Sequence, residues 1–131
     1  FGTTDNNTIR LIICQDKQAN GAAAAVTDLL ETASYHSFYN LANKNRFRVL
    51  YDKCHILQAQ GAAATGAAYG VPEVVKELKI HANLDMPIEF DNSATTGALA
   101  TQRSNNIFCM AVAESATTAY VAYTVRVRYS D

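Results

Sequence analysis

The chain has 131 residues, of which 49% are hydrophobic and 18% are charged, and its formal net charge at pH 7 is -1. These values suit one domain with a buried core and exclude a uniformly basic, nucleic-acid-binding surface. No apolar run approaches the ~20 residues of a membrane-spanning helix, so we expect no membrane partner.

The first half of the chain contains two matched apolar segments, each of which ends in Asp-Lys. Both predict β-strands, over Thr8–Gln15 and Phe47–Leu57, because aliphatic and β-branched residues dominate them. Between the strands, apolar residues at helical spacing predict a short helix over Ala25–Glu31. The pair Asn20 and Gly21 tolerates positive φ and therefore predicts a turn after the first strand.

The second half of the chain predicts four further strands and one exposed loop. The loop, Gly61–Gly70, is low in complexity and lacks the Gly-Lys-Ser/Thr of a phosphate-binding loop. Period-two alternation and a proline near a sheet edge mark the strands. The predicted strands are Val74–Leu84, Ile88–Phe90, Ile107–Ala113 and Tyr120–Tyr129. Six strands without a long helix predict an all-β fold, an antiparallel β-sandwich.

The three cysteines are Cys14, Cys54 and Cys109, which lie far apart and within apolar runs. No C-x-x-C pair is present. This spacing favours free, buried thiols in a reducing compartment over a disulfide.

Three motifs follow one another along the chain, at Arg10–Ala22, Asn43–Lys53 and Arg126–Asp131. In this order they resemble the capsid (coat) proteins of small circular single-stranded DNA viruses, and the chain is similar to geminivirus and satellite tobacco necrosis virus coat proteins. The pattern departs from that group at Cys14 and Gln15, where an aromatic residue commonly precedes the aspartate.

The resemblance implies a single viral jelly roll over residues 1–131, with strands B to I divided between the sheets BIDG and CHEF. Counting back from the C-terminus assigns strands D to I, with Thr8–Gln15 as D and Phe47–Leu57 as E. The short helix then lies between D and E. Strands B and C and a basic arm are expected before Phe1.

The function implied by the resemblance is that of a viral structural protein without enzyme activity or cofactor. Copies of the chain would self-assemble into an icosahedral shell around a single-stranded DNA genome. The expected location is the virion, and the host cell nucleus during assembly.

Arg10 is the first of three candidate nucleic-acid-facing residues. Because the strand alternates, Arg10 opposes Ile9, Leu11 and Ile13, which predicts that those three residues face the core and that Arg10 lies on the outer surface.

Arg126 and Arg128 are the other two candidates, and they oppose Val125 and Val127 in the same way. If the strands share one sheet, these two arginines and Arg10 gather on its outer face as sequence-independent phosphate contacts. The alternative is that all three are solvated or pair with carboxylates at subunit contacts.

The remaining polar clusters favour structural roles. The three histidines, at positions 36, 55 and 81, have no Glu or Cys at ligand spacing, so we expect no metal site. The acidic residues Asp85, Glu89 and Asp91 could hold a cation between subunits, but a charged edge that discourages misassociation is the favoured interpretation. The tyrosines at positions 35, 39 and 69 are loop anchors or interface contacts.

Two other functions remain open. One is a satellite-type RNA virus coat protein with the same fold. The other is a non-viral jelly-roll module that binds a carbohydrate or another ligand, although the absence of Trp argues against a sugar site. A hydrolase built on Cys54 and His55 is excluded, because adjacent residues of a strand point to opposite faces.

Overall fold

The computed structural model describes residues 7–19, 21–57, 77–91, 97–114, 122–126 and 128. Its elements are β1 (Asn7–Asp16), α1 (Val26–Leu29), β2 (Phe47–Leu57) and β3 (Asn106–Ala113), with 3-10 turns at Leu41–Asn43 and Leu99–Thr101. Three predicted strands and the short helix are therefore confirmed, as is the all-β class. Within these ranges no helix is long and apolar enough to cross a bilayer.

The three strands form one antiparallel sheet in the order β2-β1-β3, with β1 in the centre. The register pairs Ile12 with Met110 on one side of β1, and Ile13 with Tyr51 on the other. Cys14 then pairs with Val49, so β2 carries one extra residue at this point. At this β-bulge the alternation of side chains along β2 shifts by one residue. Tyr51 and Val49 are two residues apart, but they pair with β1 residues that face opposite sides of the sheet.

The core lies on one face of the sheet, beneath the connection between β1 and β2. Ile12 and Cys14 of β1 are fully buried there. The other buried members of the cluster are Leu29, Leu30, Phe47, Met110 and Val112. The cluster therefore joins all three strands and the short helix.

The predicted core face of β1 is wrong. Ile9 is buried, but Leu11 and Ile13 are only half-buried, and neither belongs to the core cluster. The residues that face the core are Ile12 and Cys14, on the same side of the strand as Arg10. An arginine is tolerated on this side because an aspartate neutralises it, as described below.

The connection from β1 to β2 turns at Gly21, whose φ is 75°. This confirms the predicted positive φ at Gly21, while Asn20 lies outside the described residues. The helix is shorter than predicted: its first turn is capped by Asp28, which accepts the Ala25 amide at 2.9 Å, and it ends before Leu30. Leu30 is extended and forms a bridge with Tyr39, so the chain leaves the helix to pair as a β-bridge.

The prediction of a strand at Val74–Leu84 is wrong for residues 77–84, which form no strand and are mostly exposed. The prediction for Tyr120–Tyr129 is likewise wrong for residues 122–126, which are exposed and irregular. Alternation alone does not make a strand, because each strand needs a hydrogen-bonded neighbour. Residues 61–70, 74–76, 120, 121, 127 and 129 lie outside the described part of the chain.

The predicted strand at Ile88–Phe90 is reduced to a short paired stretch. Phe90 bridges to Gln102, and the amide of Asp91 donates to the carbonyl oxygen of Thr101 at 2.8 Å. This pairing attaches the 77–91 segment to the residues that precede β3.

The assigned strand letters do not match the pairing. In the jelly-roll layout D and E belong to different sheets, whereas β1 and β2 are directly paired, and β1 also pairs with β3. In the CHEF sheet, strand E lies between strand F, which follows it in the chain, and strand H, which comes later. The observed sheet has the same arrangement, because β1 lies between β2 and β3.

Candidate functional site

Two reciprocal ion pairs tie β1 to β2. In both matched segments an arginine is followed by an aspartate six residues later, as Arg10 and Asp16 and as Arg46 and Asp52. Because the strands run antiparallel, each arginine meets the aspartate of the other segment: Arg10 binds Asp52, and Arg46 binds Asp16. These pairs were not predicted above, although the shared six-residue spacing is the sequence signal that indicates them.

Arg10 forms a bidentate pair with Asp52, with Nε to Oδ1 at 2.8 Å and Nη2 to Oδ2 at 2.6 Å. Its Nη1 donates to the carbonyl oxygen of Ser37 at 2.5 Å and to that of Tyr35 at 3.3 Å. The Tyr39 hydroxyl donates to the same Asp52 carboxylate. One charged pair thus holds both β2 and the connection against β1.

These contacts bear on both interpretations of Arg10. Every nitrogen of its guanidinium already donates to a protein oxygen, and the side chain is mostly buried. Arg10 therefore pairs with a carboxylate of its own chain, whereas the alternative expected such a pair at a subunit contact. The phosphate contact stays a prediction for Arg10, one that these contacts do not favour. Arg126 and Arg128 are exposed, so the three arginines do not form one exposed cluster.

The contacts among Arg10, Asp52 and Tyr39 also shift the pKa values of these three groups. Hydrogen bonding from Arg10 is the main cause that lowers the pKa of Asp52 below its ordinary value. Burial, followed by the hydrogen bond to Asp52, raises the pKa of Tyr39 to about 12. The pKa of Arg10 is raised as well, chiefly by its hydrogen bonds to Asp52. All three groups thus keep their neutral-pH charge states.

Replacing Asp52 with asparagine is expected to lower stability more at pH 7 than at pH 3. A carboxylate whose pKa is depressed on folding stabilises the protein above its unfolded pKa of about 3.9, and this contribution is lost as the pH falls through the folded pKa. Urea unfolding of both proteins at the two pH values measures the difference. A difference in the free energy of unfolding between the two proteins that is as large at pH 3 as at pH 7 would contradict this role of Asp52.

Arg46 and Asp16 form the second bidentate pair, with Nε to Oδ1 at 2.9 Å and Nη2 to Oδ2 at 2.7 Å. Asp16 is fully buried, and its Oδ1 also accepts the Gln18 amide at 3.0 Å. The Arg46 guanidinium lies over the Phe47 ring, 4.9 Å from its centroid. This pair closes the end of the β1–β2 ladder where the connection begins and ends.

An apolar pocket opens beside the second pair. Its volume is about 270 Å³, and its walls include Leu29, Tyr39, Leu41, Lys44, Phe47 and Val49. Tyr39 belongs both to this wall and to the Arg10–Asp52 cluster, so it acts as an anchor of the connection, one of the two roles expected for the loop tyrosines. Phe38 next to it is 80% exposed.

The histidines make local contacts. His36 Nδ1 lies 3.1 Å from the Ser34 hydroxyl, and His55 Nε2 lies 3.0 Å from the Tyr51 hydroxyl. In the described ranges no group of three or more His, Cys, Asp or Glu side chains could hold a metal ion. His36 and His55 thus serve as partners of neighbouring hydroxyl groups, and His81 is exposed.

Two of the three acidic candidates tie chain segments together. Glu89 accepts the Ser104 hydroxyl at 3.0 Å, and Asp91 pairs with Arg103. Asp85 is exposed. The described contacts of Glu89 and Asp91 are therefore those of segment anchors next to the Phe90 bridge.

The cysteines differ from the expectation of three buried thiols. Cys14 is buried, whereas Cys54 and Cys109 are exposed, and all three are free. Burial is the main cause that raises the pKa of Cys14 to about 11. Cys14 is therefore a protonated core residue at neutral pH.

Comparison with known protein families gives one assignment. The model of the satellite tobacco necrosis virus coat protein family matches residues 1–131. Searches of the curated proteins and of the solved structures returned no significant match. The family match covers the whole chain, including the three motifs and both Arg–Asp pairs. The chain therefore belongs to the satellite tobacco necrosis virus coat protein family.

Proposed function

We propose that this chain is the coat subunit of a small satellite-type virus, and that identical copies self-assemble into a closed shell around a single-stranded RNA genome. The observation that carries the proposal is the family match over residues 1–131. A structural role agrees with a fold whose charged groups serve to join strands. No enzyme activity is part of the proposal.

The choice of RNA departs from the expectation based on sequence. A single-stranded DNA genome and assembly in the host nucleus came with the resemblance to geminivirus coat proteins, and the family match gives neither any support. The satellite-type alternative fits the match better. RNA cargo and the virion as the location are therefore proposed together.

The described surface offers contacts for assembly. Among the described residues, β1 occupies the centre of the sheet, and β2 and β3 form its two edges. Apolar side chains are also exposed, among them Phe38, Leu41 and Ile88. A chain that presents both strand edges and apolar surface favours association with further copies, and repetition of one contact around symmetry axes closes a shell.

The test is to purify the assembled protein and identify the nucleic acid that it protects. We expect particles that sediment far ahead of the monomer and yield nucleic acid that ribonuclease, but not deoxyribonuclease, degrades after extraction. Particles that contain DNA would overturn the RNA proposal and leave the coat role standing. A protein that never forms particles would overturn the coat role.

A second arm of this experiment addresses Arg126 and Arg128, which we propose as cargo contacts because they are exposed. Replacing both with Glu is expected to lower protected RNA per subunit severalfold, since phosphate neutralisation supplies most sequence-independent affinity. The control replaces the exposed pair Arg48 and Lys53 of β2 with Glu, which changes the net charge equally. Equal loss of RNA in both variants, or no loss in either, would remove the two arginines from the cargo site.

A further inference from the structure

Phe38 is an exposed aromatic residue on a rigid support. Two backbone hydrogen bonds fix the chain around it. The Glu31 amide donates to the Phe38 carbonyl oxygen at 3.0 Å, and the Asn40 amide donates to the Leu29 carbonyl oxygen at 2.8 Å. Its neighbours are tied to the charged cluster: the Ser37 carbonyl accepts from Arg10, and Tyr39 donates to Asp52.

This fixed backbone distinguishes Phe38 from apolar side chains that are exposed without such support. Phe38 remains 80% exposed although its backbone and both its neighbours are held in place. Holding an aromatic ring in a fixed, solvated position does not stabilise the folded monomer. It does lower the entropy lost when the ring enters a partner, which is why such residues dominate binding energy at interfaces.

The apolar pocket is not a site for the ring of its own subunit. Tyr39 lines that pocket and pairs with Leu30 in a β-bridge. Successive residues of an extended segment point to opposite sides, so the Phe38 side chain points away from the pocket that Tyr39 lines. The Phe38 ring of the same subunit therefore does not occupy the pocket.

The pocket has the size and chemistry for an aromatic ring. An apolar cavity of about 150 Å³ is enough to take up benzene, and this one measures about 270 Å³. Leu29, Leu41, Phe47 and Val49 supply an apolar wall. Leu41 at the rim is itself largely exposed, which adds apolar area around the opening.

The charges beside the ring and beside the pocket are complementary. Glu31, whose amide holds Phe38, is exposed, and Lys44, which lines the pocket, is also exposed. A second copy that presents Phe38 to the pocket brings its own Glu31 towards Lys44. This complementarity favours another copy of the same chain as the occupant.

We propose that Phe38 of one subunit inserts into the pocket lined by Leu29, Leu41, Phe47 and Val49 of the next subunit, with Glu31 of the first near Lys44 of the second. The proposal rests on the coat function given above and names one of its contacts. Because the Phe38 ring and the pocket lie on different sides of the segment that contains the Leu30–Tyr39 bridge, the contact is head-to-tail. Such contacts continue from copy to copy and close into rings when the rotation allows, as a shell requires.

The first test compares the assembly of Phe38→Ala with that of the unmodified protein. Sedimentation over a range of protein concentrations should show that the variant needs at least about tenfold more protein for half-assembly, the effect expected of an interface hot spot. The control is Tyr123→Ala, which removes a ring that is 69% exposed elsewhere, and it should assemble as before. Unchanged assembly of Phe38→Ala would overturn the proposal.

The second test reverses the charges and does not depend on the ring. Glu31→Lys and Lys44→Glu should each raise the concentration for half-assembly a few-fold, and the double variant should recover most of this loss because the pair is restored with opposite polarity. Additive losses in the double variant would overturn the contact even if Phe38→Ala failed to fold. Particles from the unmodified protein keep the coat function in place in that case, whereas their absence would contradict both.

Discussion

Replacing Arg46 with alanine is expected to lower the free energy of unfolding by about 3 kcal/mol. The substitution leaves the Asp16 carboxylate fully buried with only the Gln18 amide as its described hydrogen-bond donor. A buried charge that loses its partner typically costs 3–5 kcal/mol, and the low end applies because water reaches part of Arg46. The loss of contact with the Phe47 ring acts in the same direction. For a chain of this length the melting temperature should fall by about 10 °C.

The matched control is Arg103→Ala, which also breaks an Arg–Asp pair. Arg103 is 57% exposed and its partner Asp91 lies at the surface, so the expected cost is at most about 1 kcal/mol. Chemical denaturation of the two variants beside the unmodified protein makes the comparison. Equal losses in both variants would show that burial of Asp16 does not decide the strength of the pair.

Replacing Gly21 with alanine is expected to lower the free energy of unfolding by about 2–3 kcal/mol, because two penalties add. The residue has a φ of 75°, a conformation that costs an L-residue with a side chain about 1–2 kcal/mol. A Cβ atom at this position would lie 2.5 Å from the Ala100 carbonyl oxygen, so the backbone must shift. The shift weakens the hydrogen bond from the Gly21 amide to Gln102, now 2.8 Å, which is worth about 1 kcal/mol.

Gly97→Ala supplies the control for this substitution. Nothing lies within 4 Å of a Cβ atom built at Gly97, so we expect a change of at most about 1 kcal/mol, in the stabilising direction if the unfolded chain loses freedom. Thermal unfolding followed by circular dichroism measures both variants. A Gly21→Ala protein as stable as the unmodified one would mean that the turn is not docked against Ala100.

The strands that the sequence predicted correctly are those whose signals are local. Thr8–Gln15, Phe47–Leu57 and Ile107–Ala113 are rich in aliphatic and β-branched residues, and the structure extends two of them by only one or two residues. Gly21 was predictable for the same reason, since its backbone requirement is a property of a single turn. These features need no knowledge of distant residues.

The core face and the pairing of β1 depend on residues distant in the chain. Alternation showed that Ile12 and Ile9 point in opposite directions, but only the fold of the 17–46 connection decides which side is covered. The same dependence explains Arg10, whose position on the covered side is possible because Asp52, 42 residues later, neutralises it. The sequence placed the first two strands in different sheets, whereas β1 pairs with both β2 and β3. This pairing likewise depends on residues that are distant in the chain.

Alternation in the second half overstated the strand content. Residues 77–84 and 122–126 carry the period-two pattern, yet they are irregular and mostly exposed. Leu78 and Ile80 are each more than a third exposed, as are Tyr123 and Val125. A strand is defined by its hydrogen-bonded neighbour as much as by its own residues, and that information is not local.

Cryo-electron microscopy of the purified protein tests the coat role most directly. We expect closed shells in which every subunit contains an antiparallel three-stranded sheet with β1 between β2 and β3. The density should also show the Arg46 side chain against Asp16. A protein that stays monomeric across pH and salt, with no particles on the grid, would contradict the proposed role as a coat subunit.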